Sequence, residues 1–209
     1  MYIPRFNEIS DRAILLEAMR ANSFAILIGP LDDTIGTARH HATHLPLVVR
    51  DEGPHGVLEG HFAKANPHWH SLAGRETLVV FPGPHTYVSP SLYAEQLSVP
   101  TWNYIAIHAY GILEPVDEDN NASKQALLDD LIQANEPAYA EQWRRLPDGF
   151  RRTMLAGITA FRIAITRIEG KFKISQNRPE ADRLAVQSAH ASGNDDQRAL
   201  ADWMERLIR

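Results

Sequence analysis

Between Phe24 and Val116 the chain reads FAILIG (24–29), IGTARH (35–40), THLPLVV (43–49), GVLEGHF (56–62), ETLVVFPG (76–83), TYVSP (86–90) and TWNYIAIHAYGILEPV (101–116). These short runs are rich in β-branched and aromatic residues, and clusters of Gly, Pro and Asp separate them. So many closely spaced strands predict a barrel or a sandwich, because a sheet protects its edges by closing. DEGPHG (51–56), between two of the runs, reads as a hairpin turn.

Outside this stretch the pattern turns helical. Ile14, Leu15, Ala18 and Met19 recur on one face of a helix expected to open after Ser10 or Asp11 and to close near Asn22. Leu127, Leu128, Leu131 and Ile132 predict a second helix with one buried face, starting near Ala122 or Ser123. The pattern breaks at Pro147 and Gly149, and TAFRIAITRIEGKFKIS (159–175) then alternates as a long strand with Phe161, Ile163 and Ile165 on one side. Two helices follow, one from about Pro179 and one capped near Asn194, the latter carrying a stripe of Leu200, Trp203, Met204 and Leu207. Without an internal repeat or a linker, residues 1–209 are expected to form a single α+β domain with a C-terminal helical extension.

Composition bounds the chemistry. The 209 residues are 44% hydrophobic and 22% charged, which is ordinary globular usage. There is no cysteine, so disulfides, thiolate metal sites and cysteine nucleophiles are excluded. The opening MYIPRFNEISDRAILLEAMR is not a basic region followed by an apolar run, and no stretch of about 18 apolar residues occurs, so a cytoplasmic protein that is neither exported nor membrane-embedded is expected. The net charge of −5 argues against a polycation seeking nucleic acid. It is unevenly distributed: seven acids stand against Lys124 over 117–141, and ten bases against four acids over 144–183. Complementary solvated faces are the ordinary reading, and an anion-binding surface on the C-terminal third is the sharper one.

Eight of the ten histidines lie between positions 40 and 85. His40 and His44 have the spacing of a helical zinc pair, but their surroundings favour a strand, on which they would stand roughly 13 Å apart; no metal site is predicted. GxGxxG, GxxxxGK[ST] and GxSxG are all absent, which removes the Rossmann, P-loop and α/β-hydrolase signatures. What remains is GHFAKANPHW (60–69), a strand end that delivers His61, Lys64 and Asn66 into a turn, where an ammonium, an imidazole and amides together suit a phosphate.

ATHLPL (42–47), GHFAKANPHW (60–69), FPGPHTYVSPSLY (81–93), VPTWNYIAIHAYG (99–111) and KFKISQNR (171–178), with the opening MYIPRF, resemble in order and spacing the motifs of the PaiB-like family of FMN-binding negative transcriptional regulators. More loosely, the chain is similar to the pyridoxamine phosphate oxidase-like superfamily. The resemblance covers nearly the whole chain. It implies an α+β fold built on a six-stranded split β-barrel with peripheral helices, a homodimer, and FMN at or near the dimer interface with its phosphate held by residues of the chain's own barrel. By that resemblance Thr43, His44 and Leu45 would present groups to the isoalloxazine edge, and His61, Lys64 and Asn66 would hold ribityl and phosphate oxygens. Lys173, Ser175, Gln176, Asn177 and Arg178 place donors at a strand end that suits either the cofactor or the subunit contact. Trp102 and Tyr104 would pack on the ring or fill the barrel, core packing being favoured, and Pro82, Pro84 and Pro90 would fix loops.

Flavin binding does not by itself establish catalysis. A flavin-dependent regulator or sensor is the leading reading. An FMN-dependent oxidoreductase of unknown substrate is the first alternative and a haem-binding split barrel the second. The acidic chain shows no helix-turn-helix, so regulation through a metabolite, a redox state or a protein partner is expected over direct operator binding.

Overall fold

The connections between the strand-forming runs of this chain decide the architecture, above all one of a single residue. The computed structural model describes residues 1–32 and 38–207. Among these, eight strands form one sheet: β1 (Glu8–Ile9), β2 (Phe24–Asp32), β3 (Ala38–Pro46), β4 (Val48–Arg50), β5 (Val57–Ala63), β6 (Glu76–Val88), β7 (Thr101–Pro115) and β8 (Ile158–Lys173). The spatial order is β3-β2-β6-β7-β8-β5-β4, with β1 pairing β8. The pairings of β1 with β8, β2 with β3 and β6, and β5 with β4 and β8 are antiparallel. The count is eight where six were expected, and β1 and β4, at two and three residues, are the short ones.

By its contacts the chain divides into two compact units, one of residues 1–15, 82–107 and 169–209, the other of residues 16–81 and 108–168. In the second unit, β3 and β4 end the strand order on opposite sides, yet only Leu47 separates them in the chain. A sheet whose two ends are one residue apart must curl round on itself. Ala25, Leu27, Leu45, Leu47, Leu58, Phe62, Phe161 and Ile163 are buried in this unit, the rings of Phe62 and Phe161 lying 5.0 Å apart. The hairpin at 51–56 forms as expected, with Gly53 at φ 63° and Gly56 at φ 95° and Arg50 opposite Val57.

The helices are α1 (Arg12–Ala21), α2 (His68–Leu72), α3 (Asn121–Asn135), α4 (Ala140–Arg145), α5 (Asp148–Ala156), α6 (Glu180–Ala191) and α7 (Asp195–Leu207). Asp11 Oδ1 caps α1 by accepting from the N–H groups of Ala13 and Ile14 at 2.9 and 3.1 Å. Asn194 and Gln197 bond reciprocally at the start of α7, side chain to backbone N–H in each direction. In the unit that holds α7, Leu200, Trp203 and Met204 are buried and Trp203 meets Phe172 edge-on at 5.2 Å.

Several expectations change. THLPLVV is not one strand: Pro46, which has no N–H to donate, ends β3, and the Leu47 N–H turns to the Ser23 carbonyl at 2.9 Å. Conversely, ETLVVFPG and TYVSP fuse into β6, with Pro82 and Pro84 inside the strand rather than in a loop. Pro90 does open a single 3₁₀ turn. The stretch 35–40 lies partly outside the described residues. On α3 only Leu127 of the four expected residues is buried; Leu128, Leu131 and Ile132 are half-buried. Trp102 does not fill a core, being 53% exposed, because strand alternation turns its neighbour Asn103 inward instead.

Gly111 on β7 lies so close to β8 that a Cβ would fall onto the Ala164 carbonyl and the Ile163 side chain. Gly111→Ala is therefore expected to destabilise the fold by about 3 kcal/mol through backbone overpacking. Gly149→Ala in α5, where a Cβ meets nothing within 4 Å, should instead add up to about 1 kcal/mol through helix propensity. Urea unfolding of both variants measures the contrast.

Candidate functional site

The strand end at β5 is positioned by its register against β8, from Val57 opposite Ala164 to Ala63 opposite Ile158. Gly60, opposite Phe161, has no room for a side chain: a Cβ would come within 2.6 Å of Leu47, 2.9 Å of Phe161 and 3.2 Å of Leu45. Leu45 is thus a core residue, 5% exposed, and only its backbone is free to face a ligand. His61 follows Gly60, half-buried, and its Nδ1 is buried without a hydrogen-bond partner. Burial holds the His61 imidazole below its ordinary pKa.

Past β5 the chain turns, the Asn66 N–H bonding back to the Ala63 carbonyl at 2.9 Å. Asn66 Oδ1 accepts from the His68 N–H at 3.0 Å, and its Nδ2 donates to Thr43 Oγ1 at 3.3 Å. Thr43 Oγ1 lies 2.9 Å from His68 Nδ1. His68 is fully buried and has a pKa lowered to about 4, first by burial and then by the neighbouring His41 imidazole, against a smaller opposing contribution from the Gly29 carbonyl. Thr43 Oγ1 thus accepts from Asn66 and shares a hydrogen bond with His68 Nδ1 whose direction follows the imidazole tautomer. His41 meets His68 edge-on at 4.7 Å, while His44 is exposed and stacks loosely on Phe24 at 6.3 Å.

Lys64 is held differently. Its backbone N–H bonds the Gly157 carbonyl at 2.8 Å and its carbonyl accepts from the Trp69 indole at 3.2 Å. Its ammonium pairs at the surface with Glu118 Oε2 at 2.8 Å, and this contact holds the Glu118 carboxyl below the ordinary carboxylate range.

The remaining expected site residues lie in the other compact unit. Lys173 donates to the Thr101 hydroxyl and, at 2.6 Å, to the Trp102 carbonyl. Ser175 sits at φ 67°, a left-handed conformation for a non-glycine residue, and exchanges hydrogen bonds with buried Asn103 at 3.0 and 3.2 Å. Gln176 folds back on its own strand end, accepting from the Ile174 N–H at 2.8 Å and donating to the Phe172 carbonyl. Asn177 is exposed and, with Lys173 and Ser175, lines a cavity of about 130 Å³. Of the residues with a part in these two groups, His68, Glu118, Asn103 and Tyr93 were not singled out by sequence. His68 had a visible signal in its place two residues after Asn66; Glu118 had none.

A strand end carrying neutral hydrogen-bond donors and acceptors, a buried imidazole nitrogen without a partner and one ammonium fits a ligand rich in hydroxyls that ends in a phosphate. Proteins that combine such a site with a curled antiparallel sheet and peripheral helices form a class of α+β flavin-binding proteins. The family model described as "Putative FMN-binding domain" matches residues 1–167, and this chain belongs to that PaiB-like FMN-binding family. It is 31% identical to the Protease synthase and sporulation protein PAI 2 of Bacillus subtilis, over 100% of this chain and 99% of that protein. Among solved structures it is similar to the FAD and Heme binding protein from Mycobacterium smegmatis, with a TM-score of 0.62, 17% identity and coverage of 90% of this chain and 81% of that one. The flavocytochrome Anf3 from Azotobacter vinelandii gives a TM-score of 0.59 at 13% identity, covering 82% and 72%. At such identities these two likenesses concern the fold alone.

His68 makes stability depend on pH. As pH falls below about 6.5 the unfolded chain takes up a proton that the folded imidazole refuses until about 4. Stability therefore rises with pH across that window and is lost progressively on acidification, by roughly 3 kcal/mol for this group. His61 and His190, both lowered by burial, act in the same direction. Urea midpoints between pH 7.5 and 4.5 should fall accordingly, and His68→Gln should flatten the slope.

Proposed function

We propose that this chain is an FMN-dependent regulator or sensor built on a split barrel, in which the flavin is held at the end of β5. The observation that carries the reading is the hydrogen-bonded set Asn66–Thr43–His68 just past the end of β5. In this arrangement the Thr43 hydroxyl and the backbone at His44 and Leu45 face the isoalloxazine edge, His61 and Asn66 take ribityl hydroxyls, and Lys64 takes the phosphate. Lys173, Ser175, Gln176 and Asn177, in the other compact unit, form a separate set of donors suited to the cofactor or to a subunit contact. FMN, when bound, supplies redox chemistry on its ring. The chain's own part is to orient the cofactor and to keep buried imidazoles neutral around it.

The regulatory role is supported by the end-to-end likeness to a protein named for protease synthesis and sporulation. Regulation would act through flavin state or a partner rather than through operator DNA, since part of the basic stretch is already neutralised: Arg145, Arg151 and Arg162 pair with Glu141, Asp148 and Glu52. A homodimer fits the same reading, with Tyr87 and Trp102 exposed at 49% and 53% as surface for a second copy. The cytoplasm is the proposed compartment for a chain without cysteine. Among the described residues no helix is long and apolar enough to cross a membrane.

Phosphate at Lys64 must displace Glu118, which gives the test its sign. Lys64→Ala should weaken FMN by roughly 10- to 150-fold and leave riboflavin nearly unchanged, because a charge-assisted bond of about 1.5–3 kcal/mol is lost only with the phosphate. Glu118→Gln should strengthen FMN by removing a competing carboxylate. Equal losses of FMN and riboflavin in Lys64→Ala, or weaker FMN binding in Glu118→Gln, would place the phosphate elsewhere.

A further inference from the structure

The strand end after β8 carries an arrangement that the flavin site at β5 does not need. Tyr93, Val99, Pro100, Thr101, Lys173 and Arg178 line the cavity of about 130 Å³ together with Asn103, Ser175 and Asn177, all within one compact unit. No acidic side chain is among these lining residues. Two cations reach the cavity, and a third, Lys171, is near enough to Lys173 to act on it.

We propose that this cavity is an oxyanion site, taking a phosphate or carboxylate group between Lys173, Arg178 and Asn177. Like charges brought together without an acid between them are unfavourable unless an anion joins them. Their effect on Lys173 is visible: burial first, then Lys171 and Arg178, hold its ammonium below the ordinary lysine pKa. An ammonium has three N–H donors, and Lys173 spends two on Thr101 and the Trp102 carbonyl, which aims the head and leaves one. The Arg178 guanidinium carbon lies 4.0 Å from the centroid of the Tyr93 ring, a cation–π contact that holds the cation at the cavity.

A second observation points to a ligand independently of charge. The Tyr93 hydroxyl is buried with no hydrogen-bond partner, in a residue only 8% exposed that lines this same cavity. Buried hydroxyls without partners are rare, and this one belongs to a residue of the cavity wall. The frame is rigid as well. Ser175 is kept left-handed by the paired bonds to Asn103, a conformation that persists only where surroundings over-determine it.

The oxyanion has two possible sources, the phosphate of FMN and a separate small anion, and the experiment separates them. Inorganic phosphate is titrated into the full-length protein and followed by calorimetry, first without flavin and then with riboflavin or FMN at saturation. Saturable phosphate binding to the flavin-free protein is expected, weakened at least tenfold in Lys173→Met and in Asn177→Leu and unchanged in Arg145→Ala, whose side chain is 76% exposed on α4. If FMN abolishes that binding and riboflavin does not, the cavity receives the flavin phosphate; if neither abolishes it, the anion is a separate ligand, and either result supports the site. Should Lys173→Met fail to fold, Asn177→Leu decides alone. Absence of saturable phosphate binding, or binding that survives Asn177→Leu intact, overturns the proposal, and neither result bears on whether FMN binds at β5.

Discussion

One residue, Leu47, joins the two ends of the sheet, and the rest of the compact unit of residues 16–81 and 108–168 depends on that short link. β3 and β4 lie at opposite ends of the strand order, so a connection of a single residue is possible only if the sheet curls until its ends meet. Leu47 is buried, its N–H is spent on Ser23, and its side chain reaches the space above Gly60. Gly60 must lack a side chain because Leu45, Leu47 and Phe161 converge there, and the next residue, His61, is set by the same register. Curvature, core and site are thus one constraint. A slip of β5 by one residue would send His61 to the other face and Phe62 out of the core.

The site at the end of β5 is polar but mostly uncharged. Burial lowers the pKa of the His61 and His68 imidazoles, and the Thr43 hydroxyl is held by an amide on one side and an imidazole on the other. Such a set suits the many hydroxyls and ring heteroatoms of a flavin better than it suits a metal or a general-base mechanism, and it gives directionality without requiring a buried charge. Its one cation, Lys64, stands at the surface and already has a partner in Glu118. A convergence of positive charge, Lys171 and Arg178 acting on Lys173, lies in the other unit.

Much of this was legible in the sequence. Period-two alternation gave β7 and β8 almost to the residue, and the Asp11 and Asn194 caps marked two helix starts, because these are local signals that the backbone obeys directly. The break at Leu47 was hidden, since THLPLVV reads as one strand-forming run and only the remote pairing of its two halves shows that Pro46 ends a strand. The fusion of β6 across Pro82 and Pro84 was hidden for the opposite reason: proline read as a loop signal, whereas a strand tolerates it where no ladder bond is needed. At the site, sequence pointed to Thr43, His61, Lys64 and Asn66, but the Glu118 partner of Lys64 lies 54 residues away and no spacing rule predicts it. The buried Lys124, whose ammonium donates to the Glu118 carbonyl, shows the same limit, since a lysine on an outer helix reads as solvent-exposed.

The central claim is that this fold exists to hold a flavin mononucleotide on its own residues. Titration of the purified, flavin-stripped protein with FMN, followed by the flavin's fluorescence, tests it most directly. Saturable binding near one FMN per chain, with riboflavin bound more weakly, is the result the account predicts. Absence of saturable FMN binding to the folded protein would contradict it.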